Sequence, residues 1–160
     1  MKSKQILPAV LVVVLVLIAL VGVSCNKATG GGWFMSYDPY DGANIQVTFG
    51  FNAQPTNNDT AKGQFQLVAR HLDGTVTIVH GMFNGTSSET DPNGAWFWGP
   101  CAVNGTEGYQ FGAAFQDLGE PGPSKGDWIT VDIYVSDPES PLYYWDGPLG
   151  GGNIQVFKTK

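Results

Sequence analysis

GQFQLVARHLDGTVTIVHGMF, residues 63–83, decides the fold. Two runs rich in β-branched and aromatic residues flank Asp73-Gly74, the strongest short hairpin signal. Read as a two-residue turn, Asp73-Gly74 sets Leu72 opposite Thr75. His71 then faces Val76, Ala69 faces Ile78, Leu67 faces His80 and Phe65 faces Met82. This register collects Phe65, Leu67, Ala69, Val76, Ile78 and Met82 on one face, as a hairpin with one buried side requires. It sets His71 and His80, the only histidines, about 13 Å apart at about 3.3 Å per residue. That is too far for a shared metal ion or a catalytic pair. His71 is expected near the sheet end and His80 partly buried.

The same grammar extends outward. Residues 44–51 alternate, with Ile45, Val47, Phe49 and Phe51 on one face. Residues 95–103, 109–115, 128–135 and 153–158 read as further strands, separated by turns at intervals near ten residues. The segment 136–152 reads as a long loop. No amphipathic helix is evident. The pattern predicts an all-β chain: a single antiparallel β-sandwich or jelly-roll-like domain of about eight strands. Asn44-Ile45-Gln46-Val47 recurs as Asn153-Ile154-Gln155-Val156, a faint repeat suggesting two equivalent strands. Composition agrees. The 160 residues include 22 Gly and 10 Pro, turn chemistry rather than helix chemistry, and only 14% are charged. Coiled coil, collagen and disorder are excluded.

The N-terminus carries an export pattern. Lys2 and Lys4 precede an apolar run over 6–23, followed by Ser24-Cys25. Residues 1–24 are therefore expected to be a signal peptide or membrane anchor, 25–32 a Gly-rich tether and 33–160 the β-sandwich domain. Val23-Ser24-Cys25 is similar to a bacterial lipobox, although Gly22 stands where Leu is usual, so Cys25 is the expected lipidation site. Ordinary cleavage and a retained anchor are the alternatives; all three place the domain outside the cytoplasm, at the cell envelope or beyond. If Cys25 is retained unmodified, it and Cys101, the only cysteines, form a candidate disulfide. Without Lys2 and Lys4, six cations face 14 acids. Such a surface repels phosphate, and nucleic acid is not expected as a partner.

Catalytic and metal patterns are sparse. There is no G-x-S-x-G elbow and no thiolate pair for structural zinc. Acidic residues, among them Asp38, Asp41, Asp91, Asp117, Glu120, Asp127 and Asp146, cluster in turns. Calcium is the one ion they suggest, yet Asp91-Pro92-Asn93-Gly94 lacks the alternating ladder of a calcium loop. No catalytic residue, metal ligand set or cofactor is expected. Three glycosylation sequons begin at Asn58, Asn84 and Asn104. The aromatics give the binding hypothesis: Trp96, Trp98, Trp128 and Trp145 are candidate ligand-binding residues, since aromatic faces stack on sugars and anchor interfaces. Trp96 and Trp98 share one strand face. Core filling is the competing and stronger reading, because Trp is highly buried on average.

Several segments carry a resemblance: Thr29-Gly30-Gly31-Gly32-Trp33, Phe49-Gly50-Phe51-Asn52, Gly99-Pro100-Cys101-Ala102-Val103-Asn104-Gly105, Gly119-Glu120-Pro121-Gly122, and Gly150-Gly151-Gly152-Asn153-Ile154-Gln155-Val156-Phe157-Lys158. In this order they resemble a secreted bacterial surface β-domain of the "post-COAP" type, with Phe157 where His is common. The resemblance implies an extracellular all-β module without assigned catalysis. The expected function is a non-catalytic, exported cell-surface module for binding, adhesion or envelope structure. A carbohydrate-binding module using exposed Trp, or a subunit assembling with its own copies by strand addition through 153–158, are the alternatives. Expected partners are the membrane, through lipid or anchor, and a glycan or surface protein.

Overall fold

A computed structural model describes residues 26–57, 59–87, 91, 93–135 and 141–158. Cys25, the expected lipidation site, residues 1–24, the expected signal or anchor, and Asn58 of the first sequon lie outside these residues. The strands are β1 (Asn26–Asp38), β2 (Ala43–Pro55), β3 (Ala61–Arg70), β4 (Val76–Met82), β5 (Gly85–Ser87), β6 (Gly94–Val103), β7 (Thr106–Gln116), β8 (Trp128–Tyr134) and β9 (Tyr143–Lys158). A single helical turn, α1 (Gly122–Lys125), precedes β8.

All pairings are antiparallel, and the sheet runs β4-β3-β2-β1-β9-β8-β7-β6-β5 with a further β4–β6 pairing. That last pairing closes the sheet on itself. β4 meets β6 at Val79↔Val103 and β5 meets it at Gly85↔Trp98, so β4 and β5 are two halves of one broken stave. The chain is all-β as expected, but the architecture is an eight-stave up-and-down barrel rather than a sandwich or jelly roll. The reason lies in connectivity. Every stave pairs with its chain neighbours, the first pairs with the last, and no strand crosses between sheets.

Eight of the nine Phe fill the barrel: residues 34, 49, 51, 65, 83, 97, 111 and 115. Phe51 stacks on Phe115 with centroids 3.7 Å apart, and Phe65 on Phe111 at 5.0 Å. With Ile129, Val131, Ile133, Trp145 and Ile154 they make the interior a packed core, not a pore. The apolar interior differs from the polar lumen of a membrane-spanning barrel.

The 63–83 hairpin corrects the expected register. His71 N–H donates to the Thr75 carbonyl (3.0 Å), and Arg70 lies opposite Val76. The loop is therefore Leu72-Asp73-Gly74, three residues long, with Gly74 at φ +85°. A three-residue loop ending in a left-handed glycine is the next commonest hairpin connection. One residue of slip exchanges the faces of β4. Thr77, Val79, Gly81 and Phe83 point inward, while Val76, Ile78 and Met82 are exposed. His71 lies near the sheet end as expected, though nearly buried, while His80, expected partly buried, is exposed.

The glycine triplets are also reassigned. Gly30–Gly32, expected as tether, belong to β1 and pair with β2 and with β9, where Gly32 faces Gly152. A Cβ on Gly32 would lie 2.0 Å from the Gly151 carbonyl oxygen. Across the seam the Trp33 indole lies over Gly150 and Gly151, covering backbone that has no side chain of its own. The expected 136–152 loop is β9 from Tyr143 onward. The repeat noted in the sequence occupies the two neighbours of β1, with Ile45 and Ile154 both buried.

Candidate functional site

The outer faces of β6, β7, β8 and β9 form the site. Alternation on β6 buries Ala95, Phe97 and Cys101 and turns Trp96, Trp98 and Pro100 outward. Opposite them β7 presents only Gly112 and Ala114, since Trp96 pairs with Ala114 and Trp98 with Gly112. On the far side β8 turns Trp128, Thr130, Asp132 and Tyr134 outward, and β9 adds Tyr144 and Asp146. Two small residues thus floor a shallow trough walled by aromatic rings.

Trp96 is 48% exposed and Trp128 38%. Trp98 is half-buried and meets Trp96 edge-to-face with centroids 6.3 Å apart. Of the four tryptophans singled out in the sequence, these three share the outer face. Trp145 does not: it is 1% exposed, stacked on Tyr143 at 5.1 Å, with its indole N–H directed at Asp38 (3.5 Å). Its strand, read as loop in the sequence, has no alternation strong enough to show that it points inward.

The polar groups of the trough are carboxylates and phenols. A Cβ on Gly112 would lie 3.5 Å from Trp96 Nε1 and 3.9 Å from an Asp132 oxygen. The missing side chain leaves an indole N–H and a carboxylate facing one space. Burial pushes the Asp132 carboxyl above the usual range, and the charge of Asp146 adds to it. Tyr134 is likewise raised by burial and then by Asp132, and Tyr144 by burial and then by Asp146. Both phenols therefore keep their protons at neutral pH and can donate as well as accept. Chemically, the trough offers flat apolar faces ringed by charged acceptors and neutral donors.

Next to the trough, where β4 meets β6, lies a surface hollow of about 530 Å³. Gln64, Gln66, His80, Met82, Pro100 and Gln110 border it. Pro100 is two residues along the outer face from Trp98, so hollow and trough are contiguous. Sequence reading did not find this hollow, because it exists only where the barrel closes.

Other expected features resolve into structure. Asp91 accepts from the Asn93 N–H (2.9 Å), an Asx turn. Asn104 takes φ +50° and closes the β4–β6 seam: its Oδ1 accepts from the Ile78 N–H (2.8 Å) and its N–H donates to the Ile78 carbonyl (2.8 Å). Cys101 is a buried free thiol, its pKa pushed up to about 12 by burial. The 153–158 strand offers little to a second copy. One edge pairs with β1, and the other is occupied by Asp127, which accepts from the Ile154 N–H (3.1 Å), and Asp117, which accepts from the Val156 N–H (3.0 Å).

Comparison with known protein families, curated proteins and solved structures gives no match for this chain.

Proposed function

We propose that the domain is an exported, non-catalytic carbohydrate-binding module, displayed at the cell envelope, that holds a polysaccharide chain along the trough. The observation that carries this reading is the pair of exposed Trp96 and half-exposed Trp98 beside a floor of Gly112 and Ala114, with exposed Trp128 two strands away on the same outer face. Indole faces stack on the apolar C–H faces of sugar rings, and the small floor lets a ring approach the sheet. Asp132 and Asp146 accept hydroxyl protons, Tyr134 and Tyr144 donate, and the three glutamines of the adjoining hollow do both. Export is supported by Lys2, Lys4, the 6–23 apolar run and Cys25, and by the ordered motifs that resemble a secreted surface module.

A glycan array with the full chain tests the reading. Binding is expected to one class of polysaccharide, weakened about 5- to 150-fold in each of Trp96→Ala and Trp98→Ala, for about 1–3 kcal/mol of stacking per aromatic ring. Trp96→Ala is expected to leave the melting temperature within about 2 °C, since the residue is half exposed. Absence of any binding that depends on these tryptophans would falsify the proposal.

A further inference from the structure

At one end of the barrel three metal-ligating side chains converge. Asp38 ends β1, Asp41 lies in the β1–β2 turn, and His71 opens the β3–β4 loop. His71 Nδ1 stands 3.1 Å from Asp41 Oδ2 and 3.4 Å from Asp38 Oδ2. One donor atom from each residue lies within 4.8 Å of the others. We propose that Asp38, Asp41 and His71 bind one first-row divalent cation of the Zn²⁺ type through His71 Nδ1, Asp38 Oδ2 and Asp41 Oδ2.

Four observations support this. The first is spacing: adjacent ligands held about 2.1 Å from such an ion lie about 3.0–3.4 Å apart, in tetrahedral or octahedral geometry. The second is burial. The Asp38 side chain is 1% exposed, His71 10% and Asp41 13%, so this is not a solvated acidic rim. The third is an under-satisfied oxygen. Asp38 Oδ2 is aimed into the cluster, and its two nitrogen neighbours, His71 Nδ1 and Trp145 Nε1, both stand at the outer limit of hydrogen bonding, 3.4 and 3.5 Å. One ring proton cannot serve both carboxylates, and among the described residues no Lys or Arg pairs with either. A cation at the shared point answers all three groups at once.

The fourth is the support behind the ring. His71 Nε2 is 2.8 Å from the hydroxyl of buried Thr77. With Nε2–H donating there, Nδ1 is left with its lone pair toward the carboxylates, as a metal-bound imidazole requires. Asp38 Oδ1 is held by the Tyr40 N–H (2.8 Å) and Asp41 Oδ2 by the Leu72 N–H (3.3 Å). A polar hollow of about 400 Å³, bordered by Tyr40, Asp41, His71, Thr75, Asn104 and Tyr143, opens on the cluster and leaves room for water on the remaining coordination positions. The nitrogen donor and the small ligand count select a first-row metal over Ca²⁺, which takes six to eight oxygens.

The test uses the full chain in mild detergent, stripped with EDTA and titrated with Co²⁺. The expected result is visible absorption saturating at one equivalent, displaced by Zn²⁺ and not by a hundredfold excess of Ca²⁺. His71→Ala and Asp41→Asn should each weaken binding at least tenfold. Zn²⁺ should raise the melting temperature of the parent chain and of neither variant. If His71→Ala does not fold, Asp41→Asn carries the comparison, with circular dichroism confirming its fold. No saturable binding overturns the proposal and leaves a salt-bridged barrel end. Binding of undiminished strength in a folded variant overturns it by placing the ion elsewhere, and displacement by Ca²⁺ overturns the choice of metal.

Discussion

Asp132 is held at a cost. Burial and the neighbouring Asp146 raise its carboxyl above the ordinary aspartate value of 3.8. In the folded chain it therefore binds its proton more tightly than in the unfolded chain, and stability falls as pH rises from 3.8 through the folded value. Asp132→Asn should accordingly raise the unfolding midpoint at pH 7, and the gain should vanish well below pH 3.8, where Asp132 is protonated in the folded and the unfolded chain alike. Denaturant titrations at both pH values measure it; a lower midpoint at pH 7 contradicts the argument. The same variant should bind polysaccharide less well. A residue whose replacement gains stability and loses binding is what a functional site looks like in energetic terms.

Among the elements, β9 is the most exposed to error and the most carefully held. Its first half pairs with β8 through Trp128↔Pro148, and beyond that its outer edge has no strand. Carboxylates of the 117–127 loop replace the missing ladder. Buried Asp127 binds the Leu118 N–H (2.9 Å) and the Ile154 N–H (3.1 Å), while Glu120 takes the Asn153 and Gln155 amides at 2.7 and 3.1 Å. Asp127→Ala orphans two backbone donors and should cost about 3 kcal/mol. It should also expose a strand edge, visible as concentration-dependent association by light scattering. An unchanged midpoint and a strict monomer would show that the loop merely decorates the edge. This arrangement was not legible in the sequence, where Asp117, Glu120 and Asp127 read as turn residues. The hairpin was legible in kind but not in register: Asp73-Gly74 fits loops of two or three residues, and the difference of one exchanges the faces of β4. Gly30–Gly32 read as tether because pattern rules look for side chains, and here the pairing surface is bare backbone.

For the whole molecule, the all-β class was visible in the alternation and the turn spacing. Closure was not, because besides the β4–β6 seam it needs the first strand to pair with the last, at residues 120 positions apart such as Gly32 and Gly152, beyond any window of periodicity. The candidate site shows the same division. The sequence put Trp96 and Trp98 on one face, but only the barrel brings Trp128 alongside and carries Trp145 inside. A closed barrel with one continuous core should unfold as a unit. Cys101, inside that core with its thiol pushed up to about 12, reports on this. It should react with a thiol reagent only as fast as the whole barrel opens, and reactivity in the midpoint-free native range would reveal a separately opening seam at β4–β6.

The meeting of the two glycine triplets has a consequence in time. β1 leaves the ribosome first among the staves and β9 last, so one side of β1 stays unpaired until almost the whole chain exists. A waiting edge rich in side chains would find other company, in this chain or the next. Gly30, Gly31 and Gly32 give it little to hold such company with, and the partner that fits them is a second run equally bare. The barrel's latch is quiet while open, and it closes on a segment that can approach its backbone as nearly as Gly32 and Gly152 do.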